Sequence, residues 1–193
     1  MDRFSILLTA EEAEVNALIE TRLNALIEED ERWSQLVSGV ARGRETLSYD
    51  GSHLEKRPDL SIRLTNRSPS FPLIVECKLI DAPSRKKVDL YCNDGLIRFM
   101  RGEYGWATRE AFMLAYVRDG STISSSLEPF LAQSQTKRSD VYLTESLPSS
   151  IGGPSIPLAR SSHRRTFSYI GPNSGSPGAI AIWHLWIAAA PAQ

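Results

Sequence analysis

The sequence of 193 residues lacks the long apolar segments that would place it in or across a membrane. No run approaches the roughly 18 consecutive apolar residues that a membrane-spanning helix requires. The first residues, Met1-Asp2-Arg3, do not begin a cationic stretch followed by an apolar core and a small-residue cleavage site, which is the pattern of a secretory signal. We therefore expect a cytoplasmic protein that makes no membrane contact.

Cysteine is scarce, and positive charge is not in surplus. Cys77 and Cys92 are the only cysteines, which argues against a disulfide framework or a zinc knuckle. Cys77 lies in an apolar run, where a small buried side chain is the ordinary role. The formal net charge at pH 7 is -1, so the chain lacks the overall basic surplus typical of nucleic-acid coat proteins. Any binding of nucleic acid must therefore come from a local basic patch.

Two common catalytic patterns are also missing. The sequence contains neither a Gly-x-Ser-x-Gly turn nor a glycine-rich loop ending in Gly-Lys-Ser or Gly-Lys-Thr, which argues against a serine hydrolase of that type and against an NTPase. The composition, 41% hydrophobic and 23% charged, is that of an ordinary globular protein. The length suits about one domain, so we predict a single domain over residues 1–193.

Apolar periodicity predicts an α/β fold. A helix is indicated over residues 9–31, with Thr9 as the N-cap and Glu12 completing a capping box. Strands are predicted over 40–49, 60–65, 73–80 and 111–117, and helices over 89–105 and 124–135. Segments 146–157 and 171–178 are rich in Ser, Gly and Pro and are typical of loops. Segments 166–170 and 179–187 are predicted to pair as a C-terminal β-hairpin.

Two charged residues within the third predicted strand point to chemistry. Residues two apart in a strand project to the same face, so Glu76 and Lys78 share one side of an otherwise apolar strand. Burying charge is costly unless the groups are paired, hydrated or bound to a metal. The preceding strand begins after Pro58-Asp59, and hairpin pairing of the two strands brings Asp59 beside Glu76. Two carboxylates and a lysine are therefore predicted to converge.

This pattern, Pro58-Asp59 and then Glu76-Cys77-Lys78 after an apolar approach, resembles the PD-(D/E)XK nuclease superfamily. The resemblance implies a restriction-endonuclease-like fold, an αβββαβ core with a mixed central sheet flanked by helices. It also implies that Asp59, Glu76 and the main-chain carbonyl of Cys77 bind Mg²⁺, with Mn²⁺ able to substitute, because hard cations prefer oxygen donors. Lys78 would orient or deprotonate the attacking water.

Many members of this superfamily add a metal-binding carboxylate from the first helix. The candidates here are Glu12, Glu14 and Glu20. Among them Glu20 is favoured as a further metal ligand because it lies next to the apolar stripe of the predicted helix. The alternative for each of the three is a solvated helix face.

Basic residues outside the motif are candidates for contact with DNA. Arg98 and Arg101 follow the motif among glycines and aromatic residues and could bind backbone phosphates, with ordinary surface or structural pairing as the alternative. His163 and Arg165 belong to the densest basic cluster of the C-terminal third, and His163 is also a candidate proton donor to a leaving oxygen. His184, within an apolar strand, is predicted to be a hydrogen-bonded core histidine.

We therefore expect a Mg²⁺-dependent DNA endonuclease acting in bacterial antiviral defence, restriction or repair. Cutting both strands of a duplex takes two sites, which favours a homodimer or association with a larger defence or repair complex. The alternative is a catalytically silent nucleic-acid-binding or scaffold subunit on the same fold. Asp59 would then cap a turn, and Glu76 and Lys78 would form an ordinary ion pair on a solvated sheet face.

Overall fold

A computed structural model describes residues 7–43, 49–50, 57–137, 139–153, 156–171 and 174–189. Its strands are β1 (Val37–Arg42), β2 (Leu60–Leu64), β3 (Leu73–Ile80), β4 (Glu110–Val117), β5 (Thr144–Ser150), β6 (Leu158–His163) and β7 (Ile180–Ala188). They form one seven-stranded sheet in the order β1-β2-β3-β4-β7-β6-β5. Strands β3, β4 and β7 run parallel, and the other neighbouring pairs are antiparallel. The predicted α/β class with a mixed sheet is confirmed.

Helices cover both faces of this sheet. Helices α1 (Glu12–Glu29) and α2 (Glu31–Leu36) precede β1. Between β3 and β4, the elements α3 (Val88–Tyr91), a π-helical turn (Cys92–Leu96) and α4 (Ile97–Met100) follow one another without a break. A second π-helical turn (Ile123–Leu127) leads into α5 (Glu128–Gln135). None of the helices in the described ranges has the length and hydropathy needed to cross a membrane.

Strand β3 is buried on both faces, and the alternation of its side chains between the two faces determines which face carries Glu76 and Lys78. The residues that pack toward α1 are Val75, Cys77 and Leu79. Ile74 and Ile80 pack on the opposite face, in the core that contains residues of α3 and α4. Because successive side chains of a strand point to opposite faces, Glu76 and Lys78 lie on the α3 and α4 side. A carboxylate and an ammonium are thus placed beside an apolar core.

The N-terminal boundaries differ from the prediction by a few residues. Helix α1 begins after Glu11 rather than after Thr9, and its capping box joins Glu11 to Glu14. Asp30 ends α1, and its carboxylate caps α2. The first strand begins at Val37 instead of residue 40. Residues 44–48 of the predicted strand lie outside the described ranges.

The C-terminal third departs further from the prediction. Residues 146–157, predicted as a loop, contain most of β5. Residues 166–170, predicted as a strand, form only an isolated bridge at Tyr169. Strand β7 pairs instead with β6, from Leu158 opposite Leu185 to His163 opposite Ile180. The predicted hairpin is therefore wrong in its first strand. Strand β6, which lies between β7 and the edge strand β5, is rich in polar residues and lacks the apolar pattern by which a strand is recognised.

Arg165 joins the segment after β6 to the segment before β4. The side chain is buried, and its guanidinium donates to four backbone carbonyls at distances between 2.6 and 3.1 Å. These carbonyls belong to Trp106, Thr108, Pro177 and Gly178. This placement argues against the predicted contact of Arg165 with DNA, because four of the five N–H donors of its guanidinium are used inside the protein.

The Arg165→Ala substitution is expected to lower the free energy of unfolding by about 2–4 kcal/mol, since it removes charge-assisted hydrogen bonds and leaves buried carbonyls without partners. Chemical denaturation measures the change. The neighbouring Arg164 is exposed, so Arg164→Ala is a matched control that should change stability by less than about 0.5 kcal/mol. Equal stability of the two variants would show that the carbonyl contacts of Arg165 contribute nothing.

Candidate metal centre at the parting of strands β2 and β3

The candidate site begins where β2 stops pairing with β3. The last pair in the register is Leu60 opposite Val75. The backbone N–H of Cys77 points to the same edge as that of Val75, two residues earlier. Pro58 has no N–H with which to extend the ladder. Instead, the N–H of Cys77 donates to Asp59 Oδ2 at 2.7 Å.

A second carboxylate occupies the next position along this edge. The backbone N–H of Leu79 donates to Glu12 Oε2 at 2.8 Å. Glu12 comes from the first turn of α1. Side-chain oxygens of Asp59 and Glu12 thus satisfy the two amides that β2 leaves unpaired, and they bring two negative charges to the edge of β3.

The structure brings the predicted residues Asp59, Glu76 and Lys78 together. Lys78 Nζ lies 2.6 Å from Glu76 Oε1 and 3.9 Å from Asp59 Oδ2. The same ammonium donates to the main-chain carbonyl of Cys77 at 2.9 Å and lies 3.8 Å from Glu12 Oε1. The predicted convergence of two carboxylates, a main-chain carbonyl and a lysine is therefore present in the fold.

Glu76 is the most deeply buried of the charged residues in the group. The residue is 1% exposed, and its Oε2 has no hydrogen-bond partner among the described residues. Burial raises the pKa of Glu76 to about 7, against the lowering effect of Lys78, and the charge of Asp59 raises it further. A buried carboxylate oxygen without a donor is costly, so this atom is suited to bind a cation.

Lys78 is held as an ammonium. Burial by itself lowers the pKa of an amine. Here the charges of Glu76, Glu12 and Asp59 outweigh that effect and raise the pKa of Lys78 above its ordinary value. With every group ionised, the three carboxylates and the cations Lys78 and Arg98 sum to a charge of -1 (three negative, two positive). The net negative charge of the cluster would therefore attract a divalent cation.

Asp59 is held by a buried amide. Asn16 Nδ2 donates to Asp59 Oδ1 at 3.0 Å. The Tyr116 hydroxyl donates to Asn16 Oδ1 at 2.7 Å, which fixes the orientation of the amide. Asn16 is 3% exposed and lies one turn after Glu12 on α1. One face of α1 therefore provides both a carboxylate and the support for Asp59.

Glu76 is held in a similar way by a guanidinium. Arg98 Nη1 donates to Glu76 Oε1 at 3.0 Å and to the Tyr104 hydroxyl at 2.9 Å. The Tyr104 hydroxyl donates to the carbonyl of Arg57 at 2.9 Å. For Arg98 the sequence left phosphate contact and structural pairing open, and the structure shows it paired with Glu76 inside the candidate site. Arg101 is exposed beyond the end of α4.

The π-helical turn allows the helix to approach these side chains closely. A Cβ on Gly95 would lie 2.7 Å from Met113 Cε and 3.5 Å from both Glu76 Cγ and Lys78 Cε. π-helical turns are rare and frequently lie at functional sites. Glycine at this position lets the helix backbone form one wall of the candidate site.

The donor set fits a hard divalent cation. No group of three or more His, Cys, Asp or Glu side chains suited to a metal is found within the described ranges. Binding here would use two carboxylates, Asp59 and Glu76, together with the carbonyl of Cys77 and water. Oxygen ligands completed by several waters are typical of Mg²⁺. The unpartnered Oε2 of Glu76 is the observation that favours this fit.

Glu20 is not part of this group. Its Oε2 accepts from Arg42 Nε at 2.7 Å, and its Oε1 accepts from the backbone N–H of Arg42 at 3.2 Å. The structure therefore places Glu20 outside the group in which it was expected to bind metal, and the first-helix carboxylate that reaches the site is Glu12. Glu20 lies eight positions after Glu12, about two helical turns along α1, which explains why both share a face but only one reaches β3.

Two histidines lie in a buried hydrogen-bonded chain. The carbonyl of Tyr142 can only accept, so His163 Nδ1 donates to it at 2.9 Å, and His163 Nε2 accepts from Ser161 Oγ at 2.7 Å. Ser161 Oγ then accepts from His184 Nε2 at 2.7 Å, and the Tyr91 hydroxyl donates to His184 Nδ1 at 2.8 Å. Both imidazoles are neutral in this arrangement. It corrects the prediction that His163 contacts DNA or protonates a leaving oxygen, and it agrees with a core role for His184.

Three supporting residues were missed by the sequence analysis: Asn16, Tyr104 and Tyr116. A usable signal existed for Asn16, since a polar residue lying between Val15 and Ile19 interrupts the apolar stripe of α1. Nothing in the local sequence distinguishes the two tyrosines from core residues, because each owes its role to a contact across the fold.

Comparison with known proteins identified no relative. No family model, no curated protein and no solved structure matches this chain.

The histidine chain predicts a pH effect on stability. Burial lowers the pKa of His163 to about 4 and holds that of His184 well below its ordinary value. Unfolded histidines bind a proton near about pH 6.5. Their contribution to the free energy of unfolding is therefore fully present above about pH 6.5 and decreases as the pH falls toward about 4, by at most about 1.4 kcal/mol per pH unit for each ring.

Two measurements check this expectation. The assigned NMR resonances of both imidazoles should remain those of neutral rings down to about pH 5.5, while the urea-unfolded protein titrates near about pH 6.5. Denaturation is best followed in the Glu76→Gln variant. The raised pKa of Glu76 makes its own contribution to the free energy of unfolding decrease as the pH rises toward about 7, which is opposite to the effect of the histidines. Titration of either folded ring near its ordinary pKa would contradict the proposed neutral chain.

Proposed function

We propose that this protein is a metal-dependent phosphodiester hydrolase, a nuclease of the PD-(D/E)XK type with a restriction-endonuclease-like core. The observation that supports this most directly is the meeting of Asp59, Glu76, Lys78 and the carbonyl of Cys77 at the parting of β2 and β3. The order of elements α1, β1, β2, β3, α3 with α4, and β4 is compatible with the αβββαβ core that the motif implies.

The chemistry follows from the donors that this chain offers. Asp59, Glu76 and the carbonyl of Cys77 would hold Mg²⁺ or Mn²⁺. When bound, the ion would neutralise charge on the scissile phosphate and lower the pKa of an attacking water. Lys78, kept as an ammonium by the surrounding carboxylates, would donate hydrogen bonds that orient the water or the phosphate. Because Lys78 is protonated in the metal-free cluster, we favour a role in orienting the water or the phosphate over direct abstraction of a proton from the water.

DNA is the proposed substrate, bound through few contacts. The net charge of -1 gives no general attraction for a polyanion. Arg101 is exposed near the end of α4 and is a candidate for a phosphate contact. A role in antiviral defence, restriction or repair, as a homodimer or within a larger complex, is part of the same proposal.

A silent scaffold is the alternative, and one observation favours it. Lys78 and Arg98 both already pair with Glu76 Oε1, so part of the cluster is neutralised without any metal. The unpartnered Glu76 Oε2 favours the metal-dependent function instead, since a purely structural ion-pair network normally satisfies its buried oxygens.

Cleavage of plasmid DNA in Mg²⁺ tests the proposal. Asp59→Asn, Glu76→Gln and Lys78→Ala are each expected to lower the cleavage rate by at least about 100-fold, because each removes a group that binds the metal or the reacting water. The folded state should be retained. Thermal stability should stay equal or rise in Glu76→Gln, where a buried carboxylate becomes a neutral group. It should fall in Lys78→Ala, which removes the ammonium paired with Glu76, and in Asp59→Asn, which replaces one of two accepting oxygens with an NH2 group.

Glu20→Gln is the matched control, because it makes the same change on a carboxylate that pairs with Arg42 away from the site. Its cleavage rate should equal that of the unmodified protein. Unchanged cleavage in Glu76→Gln, or cleavage that persists in excess EDTA, would reject the metal-dependent mechanism. Metal binding without any cleavage would favour the silent alternative.

A further inference from the structure

Arg98 joins Glu76 to Tyr104 through a single nitrogen. A guanidinium Nη1 carries two hydrogens. In Arg98 one of them is directed to Glu76 Oε1 at 3.0 Å and the other to the Tyr104 hydroxyl at 2.9 Å. With both hydrogens used, the direction of the guanidinium is fixed from two sides. Glu76 Oε1 is thereby held, and Oε2 is left as the oxygen without a donor.

Tyr104 is a rigid anchor for this contact. Its residue exposure is 1%, and its ring packs edge-on against Phe99 with centroids 5.8 Å apart. The Arg98 guanidinium carbon also lies 5.4 Å from the centre of the Tyr104 ring. The Tyr104 hydroxyl donates to the carbonyl of Arg57, two residues before Asp59. One hydroxyl therefore links the support of Glu76 to the backbone that leads into Asp59.

We propose that Arg98 and Tyr104 form a positioning pair that orients Glu76 so that Oε2 faces a bound divalent cation. This inference rests on the proposed metal-dependent function. The pair plays the part that Asn16 and Tyr116 play for Asp59, where a planar polar side chain contacts the carboxylate and a tyrosine hydroxyl orients that side chain. Groups that orient metal ligands in this way commonly change metal affinity by about 10–100-fold when removed.

If Arg98 instead contacts a substrate phosphate, its substitutions are expected to have different effects. Its side chain is 25% exposed, so a substrate phosphate could also reach it. In that case the charge alone would matter, Arg98→Lys would retain most of the substrate affinity, and the Tyr104 hydroxyl would be irrelevant to metal binding. In a positioning pair, lysine fails because one ammonium on a flexible stem does not reproduce the fixed planar geometry of a guanidinium.

The test measures binding of Mn²⁺ by calorimetry, without substrate, in the full-length protein. Tyr104→Phe keeps the ring and removes the hydroxyl. We expect its Kd for Mn²⁺ to rise by about 10-fold or more, and Arg98→Lys to show a rise of similar size. In cleavage assays the Mg²⁺ concentration for half-maximal rate should rise accordingly, while the rate at saturating Mg²⁺ falls less.

Tyr169→Phe is the matched control. The Tyr169 hydroxyl also donates to a backbone carbonyl, that of Trp106, but this contact does not reach either carboxylate. Tyr104→Phe loses two hydrogen bonds and Tyr169→Phe loses one, so the thermal stability of both variants should fall, and that of Tyr104→Phe should fall further. Only Tyr104→Phe should bind Mn²⁺ more weakly.

The outcomes separate the positioning pair from the function on which it rests. If the unmodified protein binds Mn²⁺ and Asp59→Asn does not, whereas Tyr104→Phe and Arg98→Lys bind it normally, the positioning pair is refuted and the metal site stands. A loss of DNA affinity in an Arg98→Ala variant with unchanged Mn²⁺ affinity would likewise replace positioning by phosphate contact. If the unmodified protein neither binds Mn²⁺ nor cleaves DNA, the proposed function fails, and the positioning pair fails with it.

Discussion

The candidate site depends on how the hydrogen bonds at the edge of β3 are completed beyond its pairing with β2. Two backbone amides, those of Cys77 and Leu79, would be left without acceptors where pairing stops. They are bonded instead by the carboxylates of Asp59 and Glu12. Buried amides require partners, so satisfying the backbone and gathering negative charge at one point are achieved by the same contacts. The rest of the candidate site is arranged around that edge.

Glu76 places a buried carboxylate at this edge, with one oxygen unpaired among the described residues. Its position on a strand covered by α3, the π-helical turn and α4 puts the carboxylate beside an apolar core, and burial raises its pKa to about 7. Lys78 and Arg98 offset part of the cost by pairing with one oxygen. The other oxygen stays unpaired, which a protein selected for stability alone would avoid. A divalent cation would favour the ionised form of Glu76 and remove this conflict.

The central part of the fold could be predicted from the sequence because its strands carry a strong pattern. The run Leu73–Ile80 is apolar except for Glu76 and Lys78. Because these two residues are two positions apart, the pattern predicted both the strand and the face that they share. Strand β5 could not be found in the same way, because its residues 144–150 include three serines and a proline and its contacts are with another polar strand. Its pairing partner, β6, is defined by distant contacts with β7.

The core of the candidate site was predictable, and its support was not. Asp59, Glu76 and Lys78 are linked by short-range strand geometry, so a hairpin argument brings them together. Of the first-helix candidates, Glu12 reaches the edge of β3 and Glu20 pairs with Arg42 instead. The sequence did not distinguish them, because the register of α1 on the sheet is set by packing. The roles of Arg98 and Arg165 likewise depend on partners far along the chain, an interior carboxylate for one and four carbonyls for the other.

A crystal structure of the protein soaked in Mn²⁺, with anomalous diffraction recorded, tests the central claim most directly. The account predicts an anomalous peak at the parting of β2 and β3, within about 2.0–2.2 Å of oxygens of both Asp59 and Glu76, the range that magnesium and its mimics favour. A fully occupied Mn²⁺ elsewhere with none at this edge would contradict it. So would an unaltered Lys78 to Glu76 pair with no peak beside Oε2 at a saturating concentration of the ion.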